Sequence, residues 1–188
     1  MTISRFLLAL GLTAVVCASP AVATQVVHQS LRDLTLGSSD IVIGQVAETR
    51  AHWNPSHTKI ITDVTFHVSQ SLKGGPGDVL TLTQLGGDAD GFRYAVPGSP
   101  LFRPGEQALL FVWRDPQGRA QVNGLAQGKF DIRTDAATGT RTVQRSVAGT
   151  AVRDVRTLSL VGPGESAPRL PLADMVSEIQ AILAEGGR

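Results

Sequence analysis

Ile60-Ile-Thr-Asp-Val-Thr-Phe-His-Val-Ser-Gln-Ser-Leu72 alternates along its length. Ile60, Thr62, Val64, Phe66, Val68 and Leu72 point one way, and Asp63, Thr65, His67 and Ser69 point the other. A side-chain period of two belongs to a β-strand with one face buried. Lys73-Gly-Gly-Pro-Gly77 ends it with a turn cluster. On the carboxyl side, Val79 to Leu85 alternates again, with Val79, Leu80 and Leu82 interleaved with Thr81 and Thr83. On the amino side, Asp40-Ile-Val-Ile-Gly-Gln-Val46 is a β-branched run broken by Gly44. A glycine inside a strand marks a bend or bulge, and such bends let small barrels close.

Further along, Gly86 to Gly91 reads as a loop and Phe92 to Val96 as a short extended piece. Arg103-Pro-Gly-Glu106 is a tight turn that launches Gln107-Ala-Leu-Leu-Phe-Val-Trp113. That run is apolar on both faces, which places it centrally in a sheet. Asp115-Pro-Gln-Gly118 turns the chain into a return strand from Ala120 to Leu125, and Lys129 to Thr134 with Thr140 to Gln144 forms an extra hairpin. Two helices flank these strands. Ser30 caps a short one that Leu31 and Leu34 anchor and Gly37 closes. Pro171 to Leu183 is amphipathic, with Leu172, Met175, Val176, Ile179 and Leu183 in one stripe that suits docking on the β domain.

The amino terminus has the order of a secretory signal peptide. Arg5 supplies the positive start, Phe6 to Val16 the apolar stretch, and Ala21-Val22-Ala23 the small residues before the cut. Ser19-Pro20 interrupts the run well before the ~20 apolar residues that a membrane-spanning helix needs. Cleavage after Ala23 leaves a chain that begins at Thr24. Cys17, the only cysteine, is removed with the leader. Anchoring as a lipoprotein through Cys17 is the alternative, but Val16 is larger than the residue that usually precedes a lipidated cysteine. The expected organisation is residues 1–23 as signal peptide, 24–145 as β domain, and 146–188 as linker and docked helix, with a secreted or periplasmic location.

Composition narrows the function. The formal charge of +1 falls to zero when Arg5 leaves, and aromatic residues make up only 5% of the chain. A neutral, aromatic-poor protein has neither the basic stripe nor the stacking platform of a nucleic-acid binder. After cleavage no second apolar segment would anchor it in a membrane. A mature chain without thiol has no disulfide, no thiolate catalysis and no cysteine-ligated metal.

About five strands joined by Gly- and Pro-rich turns are compatible with a Greek-key barrel or a sandwich. Three segments narrow this further: Ser39-Asp-Ile-Val-Ile-Gly-Gln-Val46; Val64, Phe66 and Val68 followed by Lys73-Gly74; and Pro104-Gly-Glu106 followed by Leu110-Phe111. Together they resemble the OB-fold domain of the netrin-like and tissue-inhibitor-of-metalloproteinase group. They are similar also to uncharacterised exported bacterial proteins of that pattern, some of which accompany matrixin-type metalloproteases. The likeness covers residues 38 to 128. It implies a mainly β chain built on a five-stranded OB-fold-like Greek-key barrel, with the short amino-terminal helix, the extra hairpin and the carboxyl-terminal helix added. Animal inhibitors of the group place an amino-terminal cysteine on the protease zinc; Thr24 stands there instead.

No catalytic motif is legible. There is no Gly-x-Ser-x-Gly elbow and no phosphate-binding Gly-Lys-Ser/Thr loop. His28, His52, His57 and His67 lack the helical spacing of zinc ligands and read as solvent-exposed. Asp88-Ala-Asp90-Gly91 begins like a calcium loop, but Ser99 stands where its closing glutamate belongs, so a plain turn is expected and no metal or cofactor. Trp113 ends an apolar strand and reads as core or barrel rim. Trp53 reads as a loop residue between two histidines, either a contact residue or a half-buried anchor. The candidate binding surface is therefore Thr24, His52, Trp53, Asn54 and His57. The expected function is a non-enzymatic, exported protein-binding module, an inhibitor or companion of a secreted metalloprotease; the alternative is a structural, saccharide- or small-ligand-binding envelope protein.

Overall fold

Backbone pairing follows the alternation closely where alternation is strongest. The structure, a computed structural model, describes residues 25–145, 151–153, 160–161 and 169–186. The expected signal peptide with Cys17, Thr24 and the linker over 162–168 lie outside the described residues. The elements run β1 Gln25–Val27, α1 Leu31–Gly37, β2 Asp40–Trp53, β3 Ile60–Lys73, β4 Val79–Leu85, β5 Gly87–Ala89 and β6 Phe92–Tyr94. There follow β7 Gln107–Arg114, β8 Ala120–Val122, a 3-10 turn Leu125–Gly128, β9 Lys129–Thr134 and β10 Arg141–Arg145. Last come β11 Ala151–Arg153, β12 Leu160–Val161, β13 Leu170–Pro171 and α2 Leu172–Gly186.

β2, β3 and β4 form an antiparallel meander. β4 then meets β8 in parallel at Leu82 and Ala120, β8 pairs antiparallel with β7, and β7 pairs antiparallel with β2. The ring closes in the order first, second, third, fifth, fourth strand: a closed five-stranded OB-fold-like Greek-key barrel. Past the closing pair the chain bulges through the 3-10 turn and resumes along the same edge of β7 as β9, which carries β10 and β13 beyond the barrel. A separate small sheet joins β1, β11 and β12.

β2 and β7 are apolar on both faces because each borders two cores. Val42, Val46, Ala108, Leu110 and Val112 enter the barrel with Val64, Phe66, Leu80 and Leu82. Ile41, Ile43, Leu109 and Phe111 face the other way, against Leu34 of α1 and Leu172, Met175 and Ile179 of α2. The docking stripe of α2 uses Ile182 as well, while Val176 and Leu183 are only partly buried. Gly44 makes the expected bulge: the β2–β3 register shifts there, and a Cβ at this position would stand 2.0 Å from the His67 carbonyl oxygen.

Both ends of α1 are satisfied locally. Ser30 and Asp33 form a reciprocal capping box, and Lys73 Nζ donates to the free carbonyls of Thr35 at 2.9 Å and Leu36 at 3.1 Å.

The structure departs from the sequence expectation in four places. β2 runs on to Trp53, so His52 and Trp53 are strand residues rather than loop residues. Gly87 to Tyr94 is a two-stranded hairpin where a loop was expected, because Asp90 and Gly91 both take positive φ, the backbone of a tight two-residue turn. The return strand stops at Val122. Val79 is 49% exposed, on the opposite face from Leu80 and Leu82. No described helix is long and apolar enough to cross a membrane.

Candidate functional site

β2 and β3 stay paired well beyond the barrel, and their shared end at Trp53 and Ile60 is closed by a turn over 54–59. Asn54 builds that turn. Its Oδ1 accepts from the amides of Thr58 at 2.8 Å and Lys59 at 3.0 Å, and its carbonyl accepts from the His57 amide at 2.8 Å. His57 takes a left-handed φ of 54°, which folds its ring back onto Trp53. The two rings stack with centroids 5.1 Å apart and planes at 17°.

Phe92 meets the other edge of Trp53, at 5.8 Å and 70°, from the β5–β6 hairpin. Gly87 allows the hairpin to lie there: a Cβ would come within 2.4 Å of Thr62 Oγ1 and 2.8 Å of Ala51 Cβ. Thr62 Oγ1 donates to the Gly86 carbonyl at 2.6 Å, and the Gly86 amide donates to the Ile60 carbonyl at 2.9 Å. Asp88 and Arg93 pair across the hairpin through two contacts of 2.8 and 3.1 Å, so Asp88 is a strand-pairing residue rather than part of a cation loop.

Large apolar side chains of the β5–β6 hairpin and of the segment after it are left exposed. Phe92 is 63% exposed, Tyr94 42% and Leu101 70%. Tyr94 and Leu101 line a cleft of about 460 Å³ together with Ala51, Thr62, Gln84 and Phe102 among others. Gln84 donates its Nε2 to the Pro100 carbonyl at 3.1 Å, while its Oε1 is buried with no donor among the described residues. In a chain with so few aromatics, side chains of this size left in water mark a contact surface.

His52 belongs to a different arrangement. Its Nδ1 lies 2.9 Å from the Trp53 carbonyl and its Nε2 3.0 Å from Asp63 Oδ2, and Thr83 Oγ1 donates to Asp63 Oδ1 at 3.0 Å. Both ring nitrogens face acceptors, so the imidazolium satisfies them best; the Asp63 carboxylate and then the Trp53 carbonyl raise the His52 pKa. A nucleophilic relay needs the imidazole between hydroxyl and carboxylate. Here the carboxylate is in the middle, and the Thr83 hydroxyl is not activated.

Of the residues singled out from sequence, then, Trp53 and His57 come together in a stack. Asn54 shapes the turn, and His52 engages Asp63. Thr24 lies outside the described residues. Among those residues no group of three or more His, Cys, Asp or Glu is arranged to hold a metal. Trp113 is 37% exposed, a rim position. Sequence reading missed Phe92, Tyr94 and Leu101. Asp90-Gly91 was the available signal, since Asp-Gly between extended pieces is a strong hairpin cue.

A second polar cluster carried no sequence signal. Lys129, the first residue of β9, is only 2% exposed; it bonds Glu106 and Asp131, and its Nζ sits 5.2 Å from the Phe102 ring centre. Burial raises the Glu106 pKa, and Asp131 adds to that against the lowering pull of Lys129. The ammonium fastens the turn before β7 to β9.

No protein-family model matches the chain, and no curated protein matches it.

Proposed function

We propose that the protein is an exported, non-enzymatic protein-binding module that docks its partner on the Trp53–His57–Phe92 end of the barrel, and that the partner is a secreted metalloprotease which it inhibits or accompanies. The observation that carries this reading is the packing of exposed His57 and Phe92 on half-buried Trp53, held at the surface by the 54–59 turn and a glycine-seated hairpin. Aromatic side chains that reach the surface, as Phe92 and Tyr94 do here beside the half-buried Trp53, are the groups enriched at protein interfaces. The partner class rests on the sequence resemblance, whose fold expectation matches the barrel. Because Cys17 is the only cysteine, contact runs through the aromatic end and not through a thiol on the protease zinc.

Purified residues 24–188 are mixed with matrixin-type proteases and followed by gel filtration and residual proteolysis. Co-elution is expected, and Trp53→Ala with Phe92→Ala weakens it by about 2 kcal/mol or more, roughly thirtyfold. Unchanged proteolysis with no complex removes the metalloprotease; full binding by the double variant removes this surface.

A second reading is favoured by the cleft beside Tyr94 with its unpaired Gln84 oxygen, which would orient a saccharide or small polar ligand. Saturable quenching of tryptophan fluorescence by a glycan, without protein capture, selects it.

A further inference from the structure

On the helix side of the sheet, away from the Trp53 surface, a cavity of about 240 Å³ opens beneath α2. Leu31, Phe130, Val143, Leu170 and Met175 make its walls, and Arg145 supplies its one cationic group; Glu178 lines it from an exposed position on α2. The Arg145 guanidinium lies over the Phe130 ring, 5.1 Å from its centre. Nη1 and Nη2 both donate to a single carbonyl, that of Gln29, at 3.3 Å each. A guanidinium carries five N–H donors, so one shared and long contact leaves most of its capacity unused. Among the described residues Arg145 forms no ion pair. Burial alone pulls its pKa below the ordinary arginine value, as befits a partly buried cation with no counter-ion among the described residues.

We propose that this cavity binds a small amphipathic carboxylate, its apolar chain lying between α2 and the sheet and its carboxylate on Arg145. The charge complementarity selects the head group: a planar carboxylate matches the guanidinium fork and neutralises a cation that is costly to bury alone. The walls select the tail, since all five are apolar. The volume selects the length. At ~30 Å³ per water the cavity holds about eight waters, which suits burial of a chain of roughly six to ten carbons.

Octanoate, octanol and acetate are the probes, titrated into the full chain by calorimetry and by thermal melting. Octanoate raises the melting temperature with concentration and binds about tenfold or more tightly than octanol, the difference expected for one charge-assisted contact; acetate has no effect. Arg145→Gln, checked for fold by circular dichroism, equalises octanoate and octanol. Because Arg145 also anchors Gln29, a second variant stands beside it: Leu170→Trp fills the cavity from a position already 39% exposed and abolishes octanoate binding without touching the charge. Absence of an octanoate shift, equal affinity for octanoate and octanol in the native chain, or unchanged octanoate binding by Leu170→Trp each overturns the proposal.

Discussion

His52 holds its proton between the Trp53 carbonyl and the Asp63 carboxylate, and that makes the exposed end of the β2–β3 ribbon sensitive to pH. Its pKa in the folded protein is raised above the 6.5 of the unfolded chain. The folded state therefore binds the proton more tightly, and the stabilisation is complete below pH 6.5 and lost as pH climbs through the raised value. The effect is small, because the ring is 39% exposed and water screens the pair. Melting temperatures measured across this range should fall on the alkaline side, and His52→Gln should flatten that slope. Glu106 has the same sign for a different reason. Its carboxyl is raised above 4.5 mainly by burial, so between 4.5 and the raised value the folded state keeps a proton that the unfolded chain releases, and stability falls as pH rises through that window. Lys129→Met leaves Glu106 and Asp131 facing each other without their shared cation. Loss of one member of a buried ionic cluster costs about 3–5 kcal/mol, read by urea denaturation, and adding Glu106→Gln should recover part of it.

At the scale of elements, the β5–β6 hairpin is the part most easily detached. It is seated by a few hydrogen bonds and by the absence of a side chain at Gly87, whose φ of 135° also disfavours any other residue. Gly87→Ala should lift the hairpin from β2 and β3. The expected signature is a red shift in tryptophan emission as Phe92 leaves Trp53, with only a small loss of global stability. Gly44→Ala differs in kind: the added carbon would meet the backbone oxygen of His67, inside the barrel wall, and no side-chain rotation relieves that contact. A loss on the order of 3 kcal/mol is expected in chemical denaturation, within the range of core overpacking. Ser30→Ala removes one partner of the α1 capping box and should cost about 1 kcal/mol by the same measurement.

For the molecule as a whole, the barrel core and the helix-side core share two strands. Ile41 and Val42 are neighbours on β2 yet lie in different cores, as do Leu109 and Leu110 on β7. Disruption of either core should therefore unfold both. Phe66→Ala in the barrel and Ile179→Ala beneath α2 each remove a side chain with no exposure and should cost about 3–5 and 2–5 kcal/mol. Both variants should lower a single transition that tryptophan fluorescence and far-ultraviolet circular dichroism report together. Two separate transitions would show that the cores are independent.

Alternation and turn chemistry alone determined β3, β4, β7 and the first half of β2, the α1 cap at Ser30, the bulge at Gly44 and the apolar stripe of α2, because each depends on residues close together in the chain. The run at 107–113, apolar on both faces, announced a central place in the sheet. Trp53 was legible as an uncommon large aromatic outside an apolar run. Its partner Phe92 was not, since the contact depends on where a distant hairpin comes to rest. Only the tertiary structure decided that β4 and β8 close the ring, that β9 resumes along the edge of β7, and that Lys129 and Arg145 are drawn out of water. Backbone hydrogen bonds between distant strands carry no side-chain signature, and a charged residue reads as exposed until the fold brings a carboxylate, an aromatic ring or an apolar wall around it.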